Sequence, residues 1–336
     1  MRGRVVCFGE LLLRLTAPGR ELLLQTGRLE VHVGGAEANV AVGLACLGHD
    51  TAVVSCVPAN ALGEAAKGYL RRYGVGTSGV STAPGRMGLY FLSPGAGMRA
   101  SEIVYDREGS AFALAGSRDF DWDRLLQGAS LLHLSGITPA LGPVSAEAAV
   151  AAAQAAAERG IPVSFDGNYR AQLWQRWNGD PRAILTRLVE QAEILFGNHR
   201  DISLLLGRDF GGEGEGRRRE AAEAAFDAFP KLRLIASTAR HVEDADTHRI
   251  SARVDARDGS AQTEEVTVAG IVDRIGAGDA FAAGVLHAQL AGEDIERAAR
   301  SGLALTALKH SLPGDASLFA ARDIEAFLSG ELDVRR

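Results

Sequence analysis

Lysine is nearly absent from this chain. Of its 36 basic residues only Lys67, Lys231 and Lys309 are lysines. None is followed by Ser or Thr, so the G-x-x-x-x-G-K-[ST] phosphate loop is missing, and any nucleotide must be held by another device. Cysteine is scarce too: Cys7, Cys46 and Cys56 lie far apart without a C-x-x-C pair, which fits small apolar residues in a reducing compartment. No uninterrupted apolar run approaches the roughly 20 residues of a membrane span. Arg2 and Arg4 precede an apolar stretch that Glu10 and Arg14 break, a poor match to a secretory signal. A cytoplasmic protein with no membrane partner is expected. The net charge of −6 offers no global field for nucleic acid, so a polyanion site would need local positive charge or backbone donors. G-x-G-x-x-G after the first strand, H-E-x-x-H and G-x-S-x-G are all absent, which argues against a dinucleotide enzyme, a zincin and an α/β-hydrolase.

What is present is an ordinary globular composition, 46% hydrophobic and 23% charged over 336 residues. Val5 to Phe8 reads as a buried strand ending at Gly9-Glu10. The stretch from Leu12 to Val33 alternates weakly, as short exposed strands would. Gly34-Gly35 opens a helix from Ala36 to Leu47, stopped by Gly48. A strand over Thr51–Ser55 and a helix over Gly63–Tyr73 follow, giving the β-α-β-α order of a mainly parallel sheet covered by helices. Gly88–Leu92 and Glu102–Tyr105 interrupt that order as a hairpin around a turn-rich centre. With residues 11–33, the segment 86–107 reads as a small β lid on a single α/β domain spanning 1–336. Strands are expected again at Leu131–Leu134, Ile161–Phe165, Ile194–Phe196 and Leu232–Ala236, with an Ala-rich helix over Ser145–Arg159. Gly211 to Arg219 reads as a solvated loop, and a helix is expected from Ala280 to about Leu290.

The chemistry concentrates in Asp273-Arg274-Ile275-Gly276-Ala277-Gly278-Asp279, between an expected strand and an expected helix. Small residues let several N–H groups approach one anion, and the helix adds unpaired donors and the positive end of its dipole. A carboxylate at Asp279 could then take a proton from an attacking hydroxyl while the amides hold phosphoryl oxygens. On its own the run also fits a helix N-cap.

Gly34-Gly35-Ala36-Glu37-Ala38-Asn39-Val40-Ala41, with Leu47-Gly48, resembles the N-terminal signature of the ribokinase-like (PfkB) carbohydrate kinases. Asp273 to Asp279 resembles their C-terminal signature, and the two occur in the family's order and separation. The resemblance covers nearly the whole chain and implies a ribokinase-like three-layer sandwich with a mainly parallel central sheet. It implies ATP and Mg²⁺ as cofactors, a monovalent cation such as K⁺ near the late turn Lys309–Asp315, and assembly of like chains through the lid. It makes Asp279 the base and the amides of Gly276, Ala277 and Gly278 the anion hole. Asn198-His199-Arg200-Asp201 stands where the family has N-x-x-E, which implies a nucleotide contact at Asn198 and a water-bridged metal contact at Asp201. Ser237-Thr238-Ala239-Arg240 replaces a family stretch, K-x-G-x-x-G, leaving Ser237, Arg240 and Lys309 as candidate nucleotide contacts. Arg274 replaces a common Thr and could meet phosphate or solvent.

Within the family, Gly88-Leu89-Tyr90, the run Tyr105 to Ala111, Leu134 to Ile137 and Asp166 to Arg170 are similar to 2-keto-3-deoxygluconate kinases. Arg107 and Arg170 could pair with a sugar carboxylate, bidentately where geometry allows. Tyr90 and Tyr105 offer flat apolar faces with a hydroxyl at the rim. Gly34, Gly35, Asn39 and Ile137 complete the expected sugar site, with Asp279. The expected reaction is phosphorylation of the terminal hydroxyl of 2-keto-3-deoxygluconate. Kinases for 2-keto-3-deoxygalactonate, fructose or ribose stay open, as does a non-catalytic sugar or nucleotide sensor on the same fold.

Overall fold

Val5, Val6, Cys7 and Phe8 are apolar in succession because both faces of their strand are covered. Successive side chains point to opposite faces, so Val5 and Cys7 join one core cluster while Val6 and Phe8 join the other. The computed structural model describes residues 3–212 and 214–331. Its strands are β1 (Arg4–Phe8), β2 (Leu12–Thr16), β3 (Glu30–Gly34), β4 (Thr51–Pro58), β5 (Gly76–Ala83), β6 (Gly88–Ser93) and β7 (Glu102–Asp106). They continue as β8 (Ala129–Ser135), β9 (Val163–Asp166), β10 (Ile194–Phe196), β11 (Leu234–Val242), β12 (Thr247–Ala256), β13 (Gly259–Gln262) and β14 (Val266–Ala269).

Ten strands form one sheet in the order β13-β12-β11-β10-β9-β8-β1-β4-β5, with β14 also pairing β12. Strands β5 to β11 along that path are parallel, and only β12 to β14 run antiparallel. Helices Ala36–Cys46, Ala277–Ala291 and Ile295–Lys309 pack on one face, and Pro143–Glu158, Pro181–Val189 and Gly214–Ala228 on the other. This is the expected three-layer α/β arrangement. Helices Ala277–Ala291 and Ile295–Lys309 pack closely: a Cβ on Gly284 would lie 2.5 Å from the Ser301 carbonyl oxygen. Among the described residues no helix is long and apolar enough to cross a membrane.

The second sheet has the order β3-β2-β6-β7, with β2 and β6 parallel. Its alternation separates two faces. His32, Arg14, Tyr90 and Tyr105 form one cross-strand row, while Val31, Leu15, Phe91 and Val104 form the neighbouring row on the opposite side. β3 is largely exposed as expected, but β2 is buried, which corrects the reading of 12–33 as exposed throughout. The cause is Arg14. Its guanidinium is 1% exposed, with Nη2 2.6 Å from Asp273 Oδ2 and Nη1 3.2 Å from Asp315 Oδ1. Burial works against this charge, but Asp315 and Asp273 outweigh it and push the arginine above its usual pKa.

Other departures have local causes. The segment from Gly214 is a helix, because Ala221, Ala222, Ala225 and Phe226 give it an apolar face that the glycines and charges before it obscure. Strand β5 was not anticipated, since Gly76–Ala83 carries small polar residues in place of an apolar alternation. Strand β12 escaped because charged residues interrupt its pattern, and β13 because, like β5, it carries small polar residues.

Removing one partner of a buried ion group leaves the others uncompensated. Arg14→Met is therefore expected to lower stability by about 3–5 kcal/mol. Adding Asp315→Asn should return part of the loss, read from urea unfolding midpoints.

Candidate active site

The cleft opens where the parallel strands end, the usual place for ligands in such sheets. It encloses about 630 Å³. Asp166 ends β9, Asn198 and Asp201 follow β10, and Ile137 follows β8, so strand ends place each of them on its wall. Tyr90, Tyr105 and Arg107 reach it from the small sheet.

The helix carrying Asp279 starts at Ala277, earlier than the expected Ala280. Gly276 is its N-cap, with φ 78°. A Cβ there would meet the Asp315 carbonyl oxygen at 1.6 Å, so both conformation and space demand glycine. The reading of Asp279 as the cap is therefore overturned: it sits in the first turn, pointed into the cleft. The Gly278 and Asp279 amides have no intrahelical acceptor, as first-turn amides do not, while Ala277 N–H makes a long 3.4 Å bond to Arg274 O. Gly278 has open space around it.

Asp279 Oδ2 accepts from Asn39 Nδ2 at 2.7 Å. Desolvation pushes the Asp279 carboxyl up to about 8, with Asp166, Asp315 and Glu37 adding to the rise and Asn39 opposing it. Asp166 is likewise raised to about 7, chiefly by desolvation, against the pull of Arg170. Carboxyls raised to near neutrality by burial and like charge are suited to proton transfer.

Gly35 lines the cleft, but Gly34 does not: its Cα packs against Asp315, whose Oδ2 a Cβ would meet at 2.3 Å. Tyr90 and Tyr105 pair across β6 and β7 with ring centroids 6.2 Å apart. The Tyr90 hydroxyl is not at the rim; it donates to Asp315 Oδ2 at 2.6 Å. Arg107 already has a carboxylate, Glu10, bound through Nε, and Glu10 precedes β2 where the chain leaves the main sheet. Arg170 lines the cleft without an ion-pair partner among the described residues, its Nη1 donating to Tyr169 O. Ile137 is held in place by Glu37, whose Oε1 accepts from Ser135 N, Ser135 Oγ and Thr138 Oγ1 at 3.1, 2.7 and 3.2 Å.

At the other end, Ser237 and Arg240 lie within β11 itself, not after it, because that strand runs on to Val242. Both line the cleft, as does Arg274. Neither arginine has an ion-pair partner among the described residues, and desolvation together with Arg274 lowers the pKa of Arg240. Asn198 and Asp201 form a capping box, with Asp201 Oδ2 accepting from Asn198 N at 2.8 Å. Lys309 is a correction: it is fully buried, does not line the cleft, and donates to the carbonyls of Asp273 and Leu312. Among the described residues, no group of three or more His, Cys, Asp or Glu could itself hold a metal ion. Asp166 and Asp201 on one wall still fit Mg²⁺, which keeps most of its waters and takes few protein ligands.

Sequence reasoning missed Asp166 and Asp315 on the cleft wall, and Arg14 and Glu37 as the residues behind it that hold Asp315 and the turn at 135–138. Asp166 carried a signal, a lone carboxylate at a strand end; for Asp315 the resemblance marked only its late turn, not the residue.

An acidic group beside a glycine-cradled helix start, faced by unpaired arginines, defines a phosphotransferase-type cleft. The family model for pfkB family carbohydrate kinases matches residues 2–319, and the chain belongs to that family. It is 31% identical to a 2-dehydro-3-deoxygalactonokinase of Haloferax volcanii, covering 98% of each chain. It is 29% identical to a 5-dehydro-2-deoxygluconokinase of Clostridium perfringens over 85% of this chain and 80% of the relative. A solved 2-dehydro-3-deoxygluconokinase of Thermotoga maritima superposes with a TM-score of 0.92 at 37% identity, covering 98% of this chain and all of the other.

Because Asp279 holds its proton up to about pH 8 when folded, against an ordinary 3.8, the native state loses stability as pH rises between those values. Asp279→Asn should therefore melt above the parent at about pH 9, with the gain shrinking as pH falls toward about 4. A thermal-melt series across pH checks this; a pH-independent difference would contradict it.

Proposed function

We propose that this chain is an ATP-dependent kinase for the terminal hydroxyl of 2-keto-3-deoxygluconate. The observation that carries the reaction is Asp279, raised toward neutrality and set in the first turn of a helix whose amides face the same cleft. In its ionised form Asp279 takes the proton of the sugar hydroxyl as the hydroxyl oxygen attacks the γ-phosphorus in line, and ADP departs. Asn39 holds Asp279 in position, and the Gly278 and Asp279 amides take charge growing on the phosphoryl oxygens. Arg240 and Arg274 supply local positive charge for the triphosphate, which the net charge of −6 does not. Mg²⁺, when bound, neutralises charge on the phosphates; Asp166 and Asp201 would hold its waters.

Arg170, which lines the cleft without an ion-pair partner among the described residues, supports an acidic sugar, and Arg107 lines the same cleft. The Haloferax relative favours the galactonate epimer as the alternative acceptor. A coupled ADP-release assay with both epimers, fructose and ribose decides. The gluconate epimer should give the highest kcat/KM, whereas preference for a neutral sugar, or no sugar-dependent ADP release, would sink the reading. Asp279→Asn should fold, bind substrate and lose nearly all turnover. Arg170→Ala should raise KM for the sugar acid far more than for ATP.

We also read the small sheet as a lid through which like chains associate. The apolar row Val31, Leu15, Phe91 and Val104 spans its outer face, with Val31 60% and Val104 47% exposed. A stripe of this kind favours a partner surface. Val31→Glu with Val104→Glu should reduce the mass seen by light scattering; a parent that is already monomeric would refute the association.

A further inference from the structure

Lys309 is the last residue of helix Ile295–Lys309, and its side chain is 0% exposed. A buried ammonium is costly unless its donors are satisfied. No carboxylate lies within ion-pair distance of it among the described residues. Its Nζ donates instead to two main-chain carbonyls, Asp273 O at 3.3 Å and Leu312 O at 3.1 Å.

Those carbonyls belong to two loops that reach the cleft, one through Arg274, Ile275 and Gly276 and the other through Asp315. Asp273 opens the run that ends in the anion cradle, and Leu312 leads to Gly314 and Asp315. The same loops are joined nearby. Val272 N and Asp273 N donate to His310 O at 2.8 and 3.2 Å, and Gly314 N donates to Asp273 Oδ2 at 3.0 Å. The Asp315 carbonyl packs directly on Gly276. Moving either loop by a fraction of an ångström would therefore move the cradle. A dehydrated cation held by backbone carbonyls is how proteins accommodate K⁺, whose hydration shell the carbonyls replace. Ammonium is close to K⁺ in size and carries the same charge.

We propose that the Lys309 ammonium serves as a tethered monovalent cation, a positioning group that locks the two loops around the anion cradle and makes phosphoryl transfer independent of free K⁺. This rests on the kinase reading for its catalytic part only; the structural part stands on the loops. The lysine acts through the backbone and touches neither sugar nor nucleotide.

The test begins with the parent protein, exchanged into tetramethylammonium buffer and assayed with and without added K⁺ or NH₄⁺. Equal rates are expected, and marked stimulation by K⁺ overturns the proposal. In Lys309→Ala the socket loses its charge. Its kcat should fall by about tenfold or more, with KM for the sugar little changed. NH₄⁺ or methylammonium should restore kcat in Lys309→Ala but not in Lys309→Met, whose side chain fills the space without charge. Failure of every small cation to restore Lys309→Ala overturns the proposal. The melting temperature, read without substrate, should rise with NH₄⁺ in Lys309→Ala and stay constant in the parent. That readout holds even if the acceptor sugar has been misassigned. If Lys309→Ala does not fold, the ion series on the parent decides alone.

Discussion

The architecture depends on a single guanidinium. Arg14 leaves the main body of the chain with β2, yet its head group lies fully buried between Asp273 and Asp315, which come from loops near the other end of the sequence. Alone, each of these three groups would be expensive to keep ionised without water. Together they hold the small sheet against the loop that leads into the anion cradle. Tyr90 extends the same cluster through its bond to Asp315, so a cleft-lining residue of the small sheet and the loop before Gly276 share one charge network.

That network gives the cleft two chemically distinct ends. Toward the small sheet and the strand tips lie Asp166, Asp201, Asp279 and Asp315; burial raises the pKa of each, and neighbouring carboxylates add to the rise at Asp166, Asp279 and Asp315. Toward β11 lie Arg240 and Arg274, cations lacking a protein counter-ion among the described residues. A substrate that brings negative charge to the arginines and a hydroxyl to the carboxyls relieves both ends at once. This is the electrostatic meaning of a carbohydrate kinase site, in a family where the reacting partners carry opposite demands.

Much of this was legible in the sequence. The parallel sheet followed from apolar strands alternating with helices, and the cleft wall from Gly35, Asn39, Tyr90, Tyr105, Arg170 and the cradle around Gly276. Each of these cleft residues lies in a short run that resembles a family signature, so it could be found without knowing its distant neighbours. What stayed hidden depended on distant partners. Arg14 looked like an exposed strand charge because nothing nearby in sequence announces Asp273 or Asp315. Lys309 looked like a nucleotide contact because a lone lysine in a late turn does not reveal that carbonyls from two loops surround it. Arg107 looked free because Glu10 lies on another strand's entry. The helix from Gly214 was masked by charges on its solvent side, and β5 by small polar residues that a half-exposed edge strand tolerates.

The two glycines that flank Ala277 are preserved by different forces. Gly276 is pinned by its left-handed backbone and by the Asp315 carbonyl against its Cα, whereas Gly278 has nothing within 4 Å of where a Cβ would stand. A library of substitutions across the cradle would therefore split into two populations. Changes at the first position would deplete the folded protein itself, and changes at the second would leave its abundance intact while blocking whatever must sit against that amide. Abundance and activity, scored separately, would divide one short motif into a hinge of the scaffold and a contact of the reaction.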